Sequence, residues 1–215
     1  MAPVRAIAFD FNGTLSNDEP VLCEVFRALF GELGRPLSEQ EYYEKLAGLS
    51  DEAIVTTWLG NDYPSTTDVV AERIRRYRQL VHDGSSIGES TRRAVGYAAA
   101  RVPLAIVSGA ALEEILPVIR AAGIEGLFEA IVSSDVVDRG KPDPESYLRV
   151  ADLLAVSARE TVVFEDTEAG VAAAVGAGMR CIVVRGTAQR HRLVAASEMI
   201  EAIDIEVVRR LLEER

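Results

Sequence analysis

Four short segments of this 215-residue chain carry polar groups that could do chemistry together: Asp10-Phe11-Asn12-Gly13-Thr14, Ser108-Gly109-Ala110, Gly140-Lys141-Pro142-Asp143-Pro144 and Glu165-Asp166-Thr167. Each follows a short apolar run. A single acid at such a place reads as a helix cap or a turn residue, but four sets at successive strand ends point to a site. Asp10, Glu165 and Asp166 would repel one another and any anionic substrate, and are suited to hold a hard divalent cation such as Mg²⁺. Lys141 adds a point charge for a phosphate and for a nucleophile. Ser108 and the amides of Gly109 and Ala110 can donate to phosphate oxygens. Gly13 allows a tight backbone turn beside the ligand. A carboxylate nucleophile near a cation would split phosphoryl transfer into two easier steps through an aspartyl-phosphate. The expected partner is therefore a small-molecule phosphate ester. Lysine is rare here, with only Lys45 and Lys141 against 21 arginines, so each lysine is a candidate for a chemical role.

The elements that must position these groups are legible as periodic patterns. Five apolar runs read as buried parallel strands: Val4–Phe9, Pro103–Val107, Glu129–Val132, Thr161–Phe164 and Arg180–Val184. Helical spacing between them puts Leu112, Ile115, Leu116 and Ile119 on one face of 112–122. The same spacing puts Leu148, Ala151 and Leu154 on one face of 145–154. Glu168–Gly176 is alanine-rich, as a helix packed close to a sheet would be. Alternating strands and helices predict an α/β, doubly wound, Rossmann-like parallel sheet with ligands at the carboxyl ends of its strands. The first gap, roughly 93 residues, is far longer than one crossover needs. It reads as four helices, Pro20–Gly31, Ser38–Ala47, Asp51–Leu59 and Thr66–His82, with Ser38 and Ser50 as N-caps. Residues 17–84 are thus expected to form a small α-helical cap, and residues 1–16 and 85–215 the catalytic core. The hinges fall near Ser16–Asp18 and Gly84–Ser86.

Composition narrows the function classes. The net charge of −11 argues against nucleic-acid or anionic-membrane partners, and the insert, with 13 acids and 7 bases, is no basic clamp. No apolar run reaches the length of a membrane span, and the N-terminus lacks a signal-peptide pattern, so a cytoplasmic chain is expected. Cys23 and Cys181 are expected to be buried free thiols. His82 and His191 lack metal-ligand spacing and are expected at helix ends or the surface.

FDFNGTLSNDEP, IVSGA, GKPDPESYL and VVFEDTEAGVAAAVGAGM together resemble the four motifs of the haloacid dehalogenase-like hydrolase superfamily, across essentially the whole chain. The resemblance is to the subgroup of β-phosphoglucomutase and phosphoglycolate phosphatase, with a helical cap after the first motif. It implies Asp10 as the nucleophile and position 12 as general acid/base, with the backbone carbonyl of residue 12 on Mg²⁺. It also implies Ser108 and Lys141 as phosphate ligands, Asp166 as a metal ligand and Glu165 as a ligand or a partner behind one. The first motif departs from the family at Asn12, which stands where the second aspartate belongs. An amide cannot give or take a proton at neutral pH, although it can donate a hydrogen bond to a leaving oxygen. General acid–base catalysis is worth about 10²–10⁴-fold, or roughly 3–5 kcal/mol. The expectation is a phosphatase impaired at this step. The alternatives are a weak or inactive phosphometabolite-binding protein, a mutase-like enzyme, or a phosphonatase-like enzyme using Lys45 as a Schiff base. Ala47 and Asp51 stand where the mutase pattern has cations, and Glu41 and Glu44 near Lys45 favour a solvated helix face for it. Tyr42, Tyr43, Trp58 and Tyr63 are expected mainly in core packing, with substrate contact as the other possibility.

Overall fold

The computed structural model describes residues 2–186 and 195–213. Its centre is a parallel sheet built from β1 (Ala6–Phe9), β2 (Leu104–Val107), β3 (Ala130–Val132), β4 (Thr161–Glu165), β5 (Arg180–Val184) and β6 (Glu198–Ile200). Among the described residues the order is β3-β2-β1-β4-β5-β6. The five expected strands are present. The sixth, β6, is a three-residue edge strand whose half-buried Glu-Met-Ile gives no distinctive apolar run. β4 extends one residue further than expected, so Glu165 belongs to the strand itself and is fully buried.

Strand side chains alternate between two cores. Ile7, Phe9, Leu104, Ile106, Val162 and Phe164 face one side, with Phe9 and Phe164 stacked at 5.2 Å. That side is covered by α5 (Glu89–Ala99), α6 (Leu112–Ala121) and α9 (Ile205–Glu213). Ala6, Ala8, Ala105, Val107, Val163 and Val183 face the other, against α7 (Glu145–Leu154) and α8 (Glu168–Gly176). The small residues on this second face let the alanine-rich α8 approach the sheet closely.

Two expected helix faces are rotated by about one residue. α6 buries Ile115, Val118 and Ile119 and leaves Leu112 exposed; α7 buries Tyr147, Val150 and Leu154 and leaves Leu148 exposed. In both helices a neighbouring apolar or aromatic residue satisfies nearly the same spacing, and packing against the sheet decides between them.

Between β1 and α5 lie α1 (Glu19–Glu32), α2 (Glu39–Lys45), α3 (Asp51–Leu59) and α4 (Thr66–Val81). Ser38 caps α2 in a reciprocal pair with Glu41, and Ser50 caps α3 by accepting from Ala53 N–H at 3.3 Å. Ring contacts of Phe26 with Tyr42 at 6.2 Å and of Phe30 with Trp58 at 6.4 Å join α1 to α2 and α3. The two connections to the core run side by side: Asn17 N–H donates to the Ser86 carbonyl at 2.9 Å, and the Ser16 and Ser86 hydroxyls are 2.8 Å apart. Gly84, at φ +71°, is required there, because a Cβ would meet the Ala122 backbone nitrogen at 2.5 Å. Cys23 and Cys181 are buried and unbonded to each other. His82 ends α4 at the surface; His191 lies outside the described residues.

Candidate active site

The strand ends place the polar segments where the topology puts ligands. β1 runs directly into Asp10, whose N–H donates to the Phe164 carbonyl of β4 at 2.9 Å. The chain then turns through Gly13, at φ +75°, and Asn12 pairs back to Ser16. β4 delivers Glu165 and Asp166, which are fully buried. Carboxylate oxygens of Asp10, Glu165 and Asp166 lie within 4.8 Å of one another.

Lys141 organises this cluster. Its Nζ donates to Asp10 Oδ1 at 2.5 Å, to Glu165 Oε1 at 2.5 Å and to the Val107 carbonyl at 3.1 Å. An ammonium has three protons, so all are committed, and contact with a phosphate requires exchanging one of these bonds. Glu165 is equally committed. Its Oε1 also accepts from Tyr147 OH at 2.9 Å, and its Oε2 accepts from the N–H groups of Asp166 and Thr167 and from Thr167 Oγ1 at 3.0–3.2 Å. Thr14 Oγ1 donates to Asp166 Oδ1 at 2.9 Å.

The protonation of this cluster is set by burial and by Lys141. Burial pushes the Asp10 carboxyl up to about 7; Lys141 beside it lowers it and Glu165 raises it again. Burial alone would lower Lys141, but the Asp10 and Glu165 carboxylates hold it above the ordinary lysine value. Lys141 bonds two of the three buried acids, Asp10 and Glu165, and all the donors are hard oxygens. The residues therefore fit a hard divalent cation.

Asn12 is held by its amide. Its Nδ2 donates to Asp18 Oδ2 at 3.0 Å and to Tyr77 OH at 3.2 Å, while Tyr77 OH donates to Asp18 and Gly13 N–H donates to Asp18 Oδ1 at 3.2 Å. Both amide protons are thus used. The expected hydrogen bond from Asn12 to a leaving oxygen is not available in this arrangement, and what remains of the side chain is an acceptor oxygen. Burial raises the Asp18 carboxyl, against the lowering effect of the Tyr77 hydrogen bond.

Asp10, Asn12, Ser108, Gly109, Ala110 and Lys141 line one cavity of about 640 Å³. Ala110 N–H donates to Ser108 Oγ at 3.0 Å, so that amide already has a partner within the turn. Several residues of this region carry no recognisable signal in the sequence. Tyr77 and Tyr147 reach the site from distant helices, and Ser146 presents a buried hydroxyl with no hydrogen-bond partner among the described residues. Of the four expected aromatics, Tyr42 lines the cavity, while Tyr43, Trp58 and Tyr63 pack half-buried against the core. Lys45 lies off the cavity, paired with Glu41 at 3.1 Å and 5.5 Å from the centre of the Trp58 ring.

The family model for haloacid dehalogenase-like hydrolases matches residues 7–184. The phosphorylated carbohydrates phosphatase of Thermotoga maritima is 28% identical, over 83% of this chain and 84% of its own. The phosphoglycolate phosphatase of Thiobacillus denitrificans is 26% identical, over 82% and 81%. The crystal structure of a CbbY variant from Rhodobacter sphaeroides in complex with xylulose-(1,5)bisphosphate matches with a TM-score of 0.81 at 26% identity, covering 93% of this chain and 95% of that one. The strand-end chemistry, the parallel sheet and these likenesses agree: the chain belongs to the haloacid dehalogenase-like hydrolases, as a phosphatase-type hydrolase of the phosphoglycolate phosphatase and β-phosphoglucomutase-like subgroup.

Proposed function

We propose that the chain is a Mg²⁺-dependent phosphatase of small phosphorylated metabolites that works through an aspartyl-phosphate on Asp10. The observation that carries this reading is the placement of Asp10, which opens into the cavity while Lys141 grips one of its oxygens. The carboxylates of Asp10 and Asp166 and the backbone carbonyl of Asn12 would hold the cation, which when bound supplies positive charge against the anionic phosphate. Glu165, with both oxygens engaged, is better suited to orient Lys141 than to leave it for the metal.

In the first step an Asp10 oxygen attacks phosphorus, the bond from phosphorus to the ester oxygen breaks, and the leaving oxygen takes a proton from water. In the second, water attacks phosphorus, the bond from phosphorus to Asp10 breaks, and inorganic phosphate leaves. Lys141 favours the ionised form of Asp10 and aims it, and Ser108 and the Gly109 amide receive the phosphate oxygens. The Asn12 carbonyl oxygen can accept a hydrogen bond from the attacking water, but the side chain cannot protonate the leaving group. Leaving groups that depart unaided should therefore react fastest in the first step.

Asn12 also favours a second reading, in which the protein binds a phosphometabolite and turns it over slowly or not at all. Hydrolysis of acetyl phosphate and p-nitrophenyl phosphate, with Mg²⁺ and with EDTA, tests both. Mg²⁺-dependent release of phosphate that disappears in Asp10→Asn is expected. Phosphate-analogue binding without any release would favour the second reading.

A further inference from the structure

The cavity wall away from the nucleophile carries charges of its own. Glu19, Asp51, Glu52 and Glu114 line it, against the single guanidinium of Arg73. Arg73 is almost wholly buried and already has both partners it can reach with its terminal nitrogens: Asp51 from the start of α3 and Glu114 from α6. It therefore ties the insert to the core rather than offering a free cation. Its Nε is buried with no hydrogen-bond partner among the described residues. Glu19 accepts a hydrogen bond from Tyr42 OH at 2.9 Å and is otherwise open to the cavity.

We propose that this wall selects a phosphomonoester whose far end donates hydrogen bonds, through hydroxyl or ammonium groups, and carries no second anion. The inference rests on the phosphatase reading above and names its substrate class. A carboxylate oxygen accepts hydrogen bonds, so Glu52, and Glu19 in its ionised form, match hydroxyl or ammonium donors. A second phosphate or a carboxylate would have to displace Asp51 or Glu114 from Arg73 to find a cation on this wall. Burial pushes the Glu19 carboxyl up to about 7, ahead of the lowering by Tyr42, and a nearby anion would push it further.

The experiment compares kcat/KM for glucose 6-phosphate, glucosamine 6-phosphate, 2-phosphoglycolate and fructose 1,6-bisphosphate, with acetyl phosphate as a control for the reaction itself. The first four are all alkyl phosphates, so the handicap at Asn12 weighs on each alike. The two sugar monophosphates should exceed both substrates that carry a second anion by at least about tenfold. A lead of glucosamine 6-phosphate over glucose 6-phosphate identifies ammonium as the preferred donor, and equal rates identify hydroxyl. Glu19→Gln and Glu52→Gln should each narrow the preference by at least about threefold, and Glu52, being exposed, gives that readout without a folding penalty. If acetyl phosphate is turned over but 2-phosphoglycolate or the bisphosphate is preferred, or no sugar monophosphate reacts, the substrate class is wrong and the phosphatase reading stands. A preference unmoved by either variant overturns the assignment to these carboxylates. If acetyl phosphate is not turned over either, the phosphatase reading itself falls.

Discussion

The Glu165 carboxylate occupies the place where a side chain on Gly170 would begin: a Cβ there would lie 1.8 Å from Oε1 and 2.2 Å from Oε2. Glu165 thus sits against the first turn of α8, where the Asp166 and Thr167 N–H groups hold it. From that position it fixes one side of Lys141, and Lys141 fixes Asp10. Gly170→Ala should push the carboxylate out of place. We expect a loss of kcat of about 10²-fold, as for misplacement of a reacting group, and a stability loss of about 1–3 kcal/mol from overpacking. Kinetics and thermal melts of Gly170→Ala beside Glu165→Gln check this. Unchanged kcat in the glycine variant would show that the Glu165–Lys141–Asp10 chain does not position the nucleophile.

Asp10 should be the group that takes up phosphorus. Beryllofluoride, which imitates a phosphorylated carboxylate, should bind the wild-type protein with Mg²⁺ and fail to bind Asp10→Ala. Equal binding by fluorine NMR would remove Asp10 from that role. Among the described residues Ser108 has no histidine at hand to activate it: His82 is at the surface, joined to the Gln79 carbonyl.

Asn12→Asp should restore a proton donor and raise turnover of alkyl phosphates by about 10²–10⁴-fold. The gain in the phosphorylation step should be smaller for acetyl phosphate, whose leaving group departs unaided. The new carboxylate would face Asp18 at the present amide distance of 3.0 Å, so the pair can hold only one negative charge comfortably. The variant should therefore lose stability as pH rises and the shared proton is lost. Asn12→Asp with Asp18→Asn should recover that stability. No gain on any ester in a folded, Mg²⁺-bound variant would refute the phosphatase mechanism.

Mg²⁺ should raise the melting temperature. The cation would bind the folded cluster and not the unfolded chain, contributing about 2.7 kcal/mol at a hundredfold excess over Kd. At about 2–4 °C per kcal/mol for a chain of this size, the rise should be several degrees. Calorimetry in EDTA and in millimolar Mg²⁺ makes the comparison; coincident curves would count against a metal site.

Glu19 should make stability fall with pH. Folding raises its carboxyl from 4.5 to about 7, with burial as the main cause. Between those values the folded state binds more protons than the unfolded one, so stability declines across the window and the penalty is complete above it. Its size is on the order of 3 kcal/mol, at about 1.36 kcal/mol per decade of proton affinity. Glu19→Gln should lessen the decline, leaving the share of Asp10 and Asp18, and gain on the wild type from pH 5 to pH 8 in urea titrations. Parallel pH profiles would mean that Glu19 is not protonated on folding.

The sequence by itself determined five of the six described strands and the order of chemistry along them. Five buried runs, each bounded by turn residues, and the polar groups Asp10, Ser108, Lys141, Glu165 and Asp166 just past four of them are local patterns, readable without knowing what packs where. Only the tertiary structure decided which helix faces turn inward, since Leu112 and Leu148 satisfy the spacing but Val118 and Tyr147 meet the sheet. It also decided the direction of the Asn12 amide, through Tyr77 65 positions away. The capture of Arg73 by Asp51 and Glu114, and the seat of Glu165 against Gly170, were likewise beyond sequence reading. A pattern along the chain reports backbone periodicity and the neighbours within a few residues. The partners of a buried polar group are set through space by the packing of whole elements, and no local spacing encodes them.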